Sequence, residues 1–128
     1  MAGQLSVLVF DRNKYIRKLL KREFLSEGYQ VHVAQNIQQL LSLLKEKTPY
    51  GLMILDLELP DMHQGLDILK NKMSQRPELT VVVHTFAEVP EMLAGQANVR
   101  FVEKNASSVE LIKAIAGDLL KRTEKNGG

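Results

Sequence analysis

The feature that most constrains the fold of this chain is a regular alternation of short apolar runs and amphipathic stretches. The apolar runs have the length and composition of buried strands, and stretches with apolar residues at helical spacing lie between them. The strand candidates are residues 5–10, 30–34, 52–55, 79–83 and 100–103. Because consecutive parallel strands need crossover connections, this alternation predicts a parallel sheet that is covered by helices on both faces.

Start and stop signals mark the helices between these strands. Asn13 and Asn36 are predicted N-caps of the first two helices, and Gly28 is predicted to end the first. Residues 107–110, Ser-Ser-Val-Glu, have the pattern of a capping box that opens the last helix. Residues 48–51, Thr-Pro-Tyr-Gly, are predicted to break the chain before the third strand. With right-handed crossovers, these elements predict a doubly wound, flavodoxin-like α/β fold with a five-stranded parallel sheet in the order 2-1-3-4-5.

The chain between Phe86 and Asn98 carries the weakest structural signal. It contains Pro90 and Gly95, and its pattern supports only about two helical turns. We expect this segment to be the least ordered part of the domain, because few apolar residues anchor it, namely Val89, Met92 and Leu93.

The size and composition of the chain limit its class. Its 128 residues suit one domain, which we expect over residues 1–121, followed by a flexible polar tail over residues 122–128. The net charge of +2 gives no reason to expect direct nucleic acid or membrane binding, and the absence of cysteine excludes disulfides and thiolate metal sites. The apolar run near the N-terminus is too short for a signal peptide, and no run approaches the roughly 18 residues of a membrane span. We therefore expect a soluble, cytoplasmic protein.

Polar side chains follow four of the five predicted strands. Asp11 follows the first, Asp56 the third, Thr85 the fourth and Lys104 the fifth. Because the carboxyl ends of parallel strands meet at one edge of a sheet, we expect these side chains to converge, with Lys104 within roughly 4 Å of Asp56. Two carboxylates, a hydroxyl and an ammonium suit a phosphoryl group, for which they supply a nucleophile, a donor and a positive charge.

The segments that carry these residues resemble the receiver domain of two-component response regulators. The matching segments are VLVFD, LMILDLELPDM, VVVHTFA and FVEKN, in this order between residues 7 and 105. The resemblance implies that Asp56 is the phospho-accepting aspartate and that Asp11 belongs to an acidic pair that organises Mg²⁺. It also implies that Thr85 and Lys104 sense the phosphoryl group, and it places Phe101 at the position of the switch aromatic. The implied partners are a histidine kinase or phosphotransfer protein, and a downstream protein or a second copy of the chain.

Two residues beside the site depart from the pattern of this family. Arg12 stands where the family has a second acid, and Phe86 stands where a small residue usually follows the threonine. Arginine is a cation with donors only, so we expect Arg12 to weaken or abolish Mg²⁺ binding. We also expect its guanidinium to contact Asp11 or Asp56, and the ring of Phe86 to cover part of the approach to Asp56.

Several functions therefore stay open. The leading hypothesis is a receiver that takes a phosphoryl group on Asp56 from a histidine kinase and signals by conformational change. Arg12 and Phe86 favour the alternative, a degenerate receiver that acts as a phosphorylation-independent interaction module. A metal-dependent phosphotransferase or hydrolase is disfavoured because the chain is short, so we do not expect an enzyme. Plainer roles also stay open, since Asp56 could cap a loop and Phe101 could be ordinary core; His84 is expected to be structural.

Overall fold

A computed structural model describes residues 5–58, 62–86, 93, 95, 96 and 98–127. Its five strands form one parallel sheet in the order β2-β1-β3-β4-β5, which confirms the predicted fold. The strands are β1 (Ser6–Phe10), β2 (Gln30–Ala34), β3 (Tyr50–Leu55), β4 (Thr80–Thr85) and β5 (Val99–Glu103). The helices of this part of the chain are α1 (Lys14–Ser26), α2 (Ile37–Lys45), α3 (Met62–Ser74) and α4 (Ser108–Gly127), and none of them is long and apolar enough to cross a membrane.

The sheet separates two hydrophobic cores. Every residue of β1 is buried, as expected of a central strand with helices on both faces. Because successive side chains of a strand point to opposite faces, Leu8 and Phe10 pack into one core, while Val7 and Val9 pack into the other. Helix residues complete these cores: Leu40, Leu44, Leu66 and Leu69 in the first, and Leu20, Phe24, Ile112 and Ala116 in the second.

The predicted helix caps are present. The side-chain oxygen of Asn13 accepts hydrogen bonds from the N–H of Tyr15, at 2.9 Å, and from that of the next residue. The side-chain oxygen of Asn36 accepts from the N–H of Gln39 at 2.8 Å. Gly28 follows α1 with a φ of 90°, in the left-handed region that favours glycine at helix ends.

Two element boundaries differ from the prediction. Strand β3 begins at Tyr50, so Tyr50 and Gly51 belong to the sheet and the break ends at Pro49, because Tyr50 pairs with Ser6 of β1. Helix α4 begins at Ser108, within the predicted box, but it continues to Gly127. The segment predicted as a tail over residues 122–128 is therefore helical up to Gly127, in keeping with the good helix propensity of lysine, arginine and glutamate. The flexibility of this segment, and a domain boundary at residue 121, stay predictions.

The expectation of weak order between Phe86 and Asn98 concerns mainly residues 87–92, 94 and 97. These residues, which include Val89, Pro90 and Met92, lie outside the described part of the chain. Of the described residues in this segment, Leu93 is buried in the core that contains Leu8 and Phe10.

Candidate functional site

The four polar residues predicted to converge lie at one edge of the sheet. Asp11 and Asp56 directly follow β1 and β3, Thr85 is the last residue of β4, and Lys104 directly follows β5. All four are buried, with exposed fractions of 1%, 0%, 5% and 8% respectively. The topology thus gathers residues that are up to 93 positions apart in the sequence, as predicted from the parallel order of the strands.

Lys104 is the centre of this arrangement. Its Nζ lies 3.1 Å from Oδ2 of Asp11 and 3.5 Å from Oδ2 of Asp56, so the predicted ion pair with Asp56 is confirmed. Its backbone N–H donates to the carbonyl oxygen of Thr85 at 3.2 Å, which ties the ends of β4 and β5 together. A buried carboxylate is tolerable only where a cation or several donors compensate its charge, and Lys104 supplies the cation for both aspartates.

Backbone amides hold the Asp56 carboxylate in place. Its Oδ1 accepts from the N–H of Glu58 at 2.9 Å, and its Oδ2 accepts from the N–H of Arg12 at 3.4 Å. The backbone N–H of Asp56 continues the pairing of β3 with β1 by donating to the carbonyl oxygen of Phe10 at 2.9 Å. Backbone N–H groups therefore orient the carboxylate through both of its oxygens, as a placed nucleophile requires.

Asp11 is held in a similar way but in a less favourable environment. Its Oδ1 accepts from the N–H of Asn13 at 2.8 Å. Burial raises the pKa of Asp11 to about 6; the N–H of Asn13 and the charge of Lys104 oppose this rise, while the charge of Asp56 adds to it. Ionisation of Asp11 beside Asp56, with Lys104 as their shared cation, thus lowers the stability of the folded state.

The predicted contact of the Arg12 guanidinium is wrong. Arg12 is exposed, and in the described part of the chain no ion pair joins its side chain to Asp11 or Asp56. Its backbone N–H makes the contact with Asp56 instead. The guanidinium that binds this loop is that of Arg17, which donates to the carbonyl oxygens of Asp11 and Arg12 at 2.7 and 3.0 Å. An exposed guanidinium also avoids the desolvation cost that burial of a second cation beside Lys104 would carry.

Phe86 lies beside Lys104, and its ring is largely exposed. The Nζ of Lys104 is 5.8 Å from the centre of this ring, within the range of a cation–π contact, while 70% of the residue is accessible to solvent. Phe86 and Lys104 share the lining of a cavity of about 450 Å³ with residues of α1 and α4, among them Ile16, Leu19 and Val109. The site therefore has an open side next to the ring.

Phe101 belongs to neither of the two cores. It lies on the edge strand β5, pairs with Val83 and is 38% exposed. The plainer interpretation of Phe101 as ordinary core is therefore wrong. Its role as a switch aromatic stays a prediction.

Glu58 is a member of the site that the sequence interpretation missed. Its Oε2 lies 3.6 Å from Nζ of Lys104, and its Oε1 accepts from the N–H of Phe86 at 2.9 Å. A signal was available: Glu58 follows Asp56 by two residues, and in extended chain such residues point to the same side. Lys104 thus has three carboxylates around it.

His84 is buried, and its hydrogen bonds define its tautomer. The hydroxyl of Ser108 donates its only proton to the carbonyl oxygen of Asn105, at 2.9 Å, so it accepts from Nε2 of His84 at 2.8 Å. The Nδ1 atom is buried and has no hydrogen-bond partner in the described structure. Burial and the nearby charge of Lys104 lower the pKa of His84 to about 4, so the ring is neutral at physiological pH.

The carboxylates of the site are the type of ligand that Mg²⁺ prefers. Mg²⁺ prefers oxygen ligands and is commonly held by one or two carboxylates plus water, and Asp11 and Asp56 provide two adjacent carboxylates. Among the described residues, however, no three acidic, histidine or cysteine side chains are arranged to ligate one metal ion. The ammonium of Lys104 lies against both aspartates, where a second cation would meet its repulsion.

Asp11→Asn should raise the free energy of unfolding by about 2 kcal/mol near pH 7.5, and this gain should vanish near pH 4. Because the folded-state pKa of Asp11, about 6, lies above its ordinary value of 3.8, the folded state binds the proton more tightly. The stability from this group is therefore present below its ordinary pKa and is lost as the pH rises through 6. Lys104 keeps Asp56 and Glu58 as partners in the variant.

Urea unfolding in metal-free buffer at several pH values measures this difference. Asp118→Asn is the matched control, because Asp118 is exposed on α4 and its loss should change little. A variant that is less stable than the wild type near pH 7.5 would show that the Asp11 carboxylate is a net stabilising partner of Lys104.

Comparison with known proteins identifies the family of this chain and several similar proteins. A family model described as the response regulator receiver domain matches residues 7–116. Sporulation initiation phosphotransferase F of Bacillus subtilis is 34% identical over 79 residues, which cover 62% of this chain and 62% of that protein. The response regulator MprA of Mycolicibacterium vanbaalenii is 28% identical over 124 residues, which cover 95% of this chain and 53% of MprA. The chain thus spans about half the length of MprA.

Solved structures of one similar protein show the same fold. The response regulator protein TrrA of Thermotoga maritima, in complex with Mg²⁺-BeF, superimposes with a TM-score of 0.69 at 25% identity and covers 89% of this chain and 98% of that one. A chain in the crystal structure of the histidine kinase ThkA in complex with TrrA matches with a TM-score of 0.71 at 27% identity, over 91% of this chain and 99% of that chain. The parallel order of the strands and the position of the site beyond their carboxyl ends agree with these likenesses.

Proposed function

Because the chain belongs to the response regulator receiver domain family, we propose that Asp56 takes a phosphoryl group from a histidine kinase or phosphotransfer protein and that the domain signals by a change of conformation. The observation that supports this most strongly is the Asp56 carboxylate itself. It is buried, oriented by two backbone amides and paired with Lys104 at the open edge of the sheet. The complex of TrrA with ThkA supports a histidine kinase as the donor.

The residues around Asp56 would divide the work of phosphoryl transfer. An Asp56 oxygen attacks phosphorus while the bond from phosphorus to the donor's histidine nitrogen breaks, and the imidazole leaves with that electron pair. The negative charge that the phosphoryl oxygens carry is stabilised by the ammonium of Lys104. The hydroxyl of Thr85, at the end of the neighbouring strand, donates to a phosphoryl oxygen. Asp11 and Asp56 would hold Mg²⁺, which supplies additional positive charge to the transferred group. The TrrA complex with Mg²⁺-BeF supports a metal ion in this place.

The signal would pass to β5 and the surfaces beside it. Lys104 directly follows β5, and Phe101 lies three residues earlier on the same edge strand with its ring partly exposed. A shift of Lys104 towards a phosphoryl group would therefore be felt where a downstream protein or a second copy of the chain can bind. Members of this family act as signalling modules rather than as typical enzymes, and we extend this to the present chain.

A phosphorylation-independent interaction module is the second candidate, and Arg12 favours it. An exposed arginine stands beside Asp56 where the family has an acid, so less negative charge is available for Mg²⁺. The fold and the position of β5 would serve such a module equally well, since fold alone does not define function.

Incubation with a small phosphodonor and Mg²⁺ should add the mass of one phosphoryl group to the intact wild-type chain and none to Asp56→Asn. Asp67→Asn is the matched control, because Asp67 is exposed on α3 and its loss should leave the modification unchanged. If the wild type stays unmodified while a known receiver is modified under the same conditions, the interaction module is the better proposal.

A further inference from the structure

The carboxylate of Glu58 bridges two donors that border Asp56. Its Oε1 accepts from the N–H of Phe86 at 2.9 Å, and its Oε2 lies 3.6 Å from Nζ of Lys104. The side chain is 18% exposed, so it is held in this place and does not extend freely into solvent. Holding a glutamate side chain in one conformation costs rotamer entropy, which these charge-assisted contacts must offset.

One of these two donors contacts Asp56, and the other lies just beyond the end of the strand beside β3. Lys104 already contacts Oδ2 of Asp56 at 3.5 Å, and Phe86 directly follows Thr85, which ends the neighbouring strand. A phosphoryl group attached to Asp56 carries negatively charged oxygens that require hydrogen-bond donors and a cation. A backbone N–H supplies a single proton, so the N–H of Phe86 cannot serve a phosphoryl oxygen fully while it serves Glu58.

We propose that Glu58 acts as an internal substitute for the phosphoryl group, occupying its donors in the unmodified chain and thereby setting how readily Asp56 is modified. This inference rests on the proposed function, whose site it shares. The carboxylate must move away from Phe86 and Lys104 before a phosphoryl group can be accommodated. Its negative charge also repels an anionic phosphodonor as the donor approaches Asp56.

Two substitutions separate the charge of Glu58 from its hydrogen bond. Glu58→Gln keeps an oxygen that can accept from the N–H of Phe86 but removes the charge that attracts Lys104. Glu58→Ala removes both contacts. One unit of charge acting over roughly 5 Å in a medium of effective dielectric about 20 changes a rate by more than tenfold even after solvent screening halves it. We therefore expect both variants to be modified at least about tenfold faster than the wild type, with Glu58→Ala the faster of the two.

Glu103→Gln is the matched control. Glu103 is exposed, it directly precedes Lys104, and its substitution removes the same unit of charge without touching the contacts of Glu58. It should change the rate by less than about threefold, as expected of an exposed charge. Circular dichroism and thermal unfolding of each variant check that the fold is intact.

The experiment has two readouts, so that failure of this inference and failure of the proposed function are distinguishable. The first is the initial rate of mass gain with a small phosphodonor and Mg²⁺. The second needs no covalent step: beryllofluoride with Mg²⁺, or inorganic phosphate alone, is titrated into ¹⁵N-labelled chain while the Phe86 amide shift is followed. We expect the chemical shift of the Phe86 amide to change at a lower anion concentration in Glu58→Ala than in the wild type.

Each outcome decides between the two claims. Equal rates and equal anion titrations in the wild type and both Glu58 variants would overturn the inference and leave phosphorylation of Asp56 standing. No mass gain in any variant, together with an anion-dependent Phe86 shift only in the Glu58 variants, would overturn the proposed function and support the role of Glu58. No mass gain and no anion-dependent shift in any variant would overturn both.

Discussion

Lys104→Met should lower the free energy of unfolding by about 3 kcal/mol near neutral pH, the largest loss that we expect from a single site residue. Lys104 is the shared cation of Asp11, Asp56 and Glu58, of which the two aspartates are buried. Methionine keeps much of the apolar packing of the lysine stem but leaves these carboxylates without their cation. The lower free energy of unfolding would therefore come from uncompensated buried charge and not from a cavity.

The pH dependence of this loss gives it a distinct signature. Without Lys104, which opposes the rise, the pKa of Asp11 should climb further above the value of about 6 that burial gives it, so the folded state binds a proton that the unfolded state has released. The stability lost at neutral pH should then return as the pH falls towards about 5. Urea unfolding at several pH values measures both effects.

Lys113→Met is the matched control for Lys104→Met. Lys113 also faces three carboxylates, those of Glu23, Glu27 and Glu110, at 3.2 to 3.6 Å, but these glutamates are 26% to 74% exposed. Water compensates exposed carboxylates, so the loss should be much smaller. Equal, pH-independent losses in the two variants would contradict our view that the site carboxylates depend on Lys104.

Arg12→Asp should strengthen Mg²⁺ binding more than tenfold and make Asp56 easier to phosphorylate. The N–H of Arg12 donates to Oδ2 of Asp56, so a side chain at this position starts next to that carboxylate. The substitution changes the local charge by two units, each worth about 3 kcal/mol over roughly 5 Å at an effective dielectric of about 20. Because Arg12 is exposed, solvent and salt reduce this interaction energy. Even half of the energy of one unit of charge corresponds to more than a tenfold change in Mg²⁺ affinity.

Titration of Mg²⁺ into ¹⁵N-labelled wild type and Arg12→Asp, followed by amide shifts near Asp56, measures the affinities. Arg22→Asp makes the same change of charge at an exposed position of α1 and should leave the affinity nearly unchanged. If the wild type binds Mg²⁺ as tightly as Arg12→Asp and both chains are phosphorylated equally, the exposed guanidinium has no influence on the site.

The fold and the position of the site could be predicted from local patterns. Apolar runs such as residues 52–55 indicate buried strands, and the asparagines at 13 and 36 indicate where helices begin. Parallel topology then brings the carboxyl ends of the strands to one edge of the sheet. Asp11, Asp56, Thr85 and Lys104 could therefore be selected as a cluster before any coordinate was known. Helix α4 was underestimated because a polar segment without an apolar stripe can still extend a helix that has already formed.

The contacts within the site depend on side-chain conformations, which no periodicity in the sequence reports. The pattern showed an arginine beside Asp56, but only the three-dimensional arrangement assigns the contact to its backbone N–H and leaves the guanidinium in solvent. In the same way, Glu58 becomes a partner of Lys104 and Phe86 only when the ends of β3, β4 and β5 are brought together. Burial follows from the local sequence, whereas the partner of a buried charge is decided by residues that are distant in sequence and near in space.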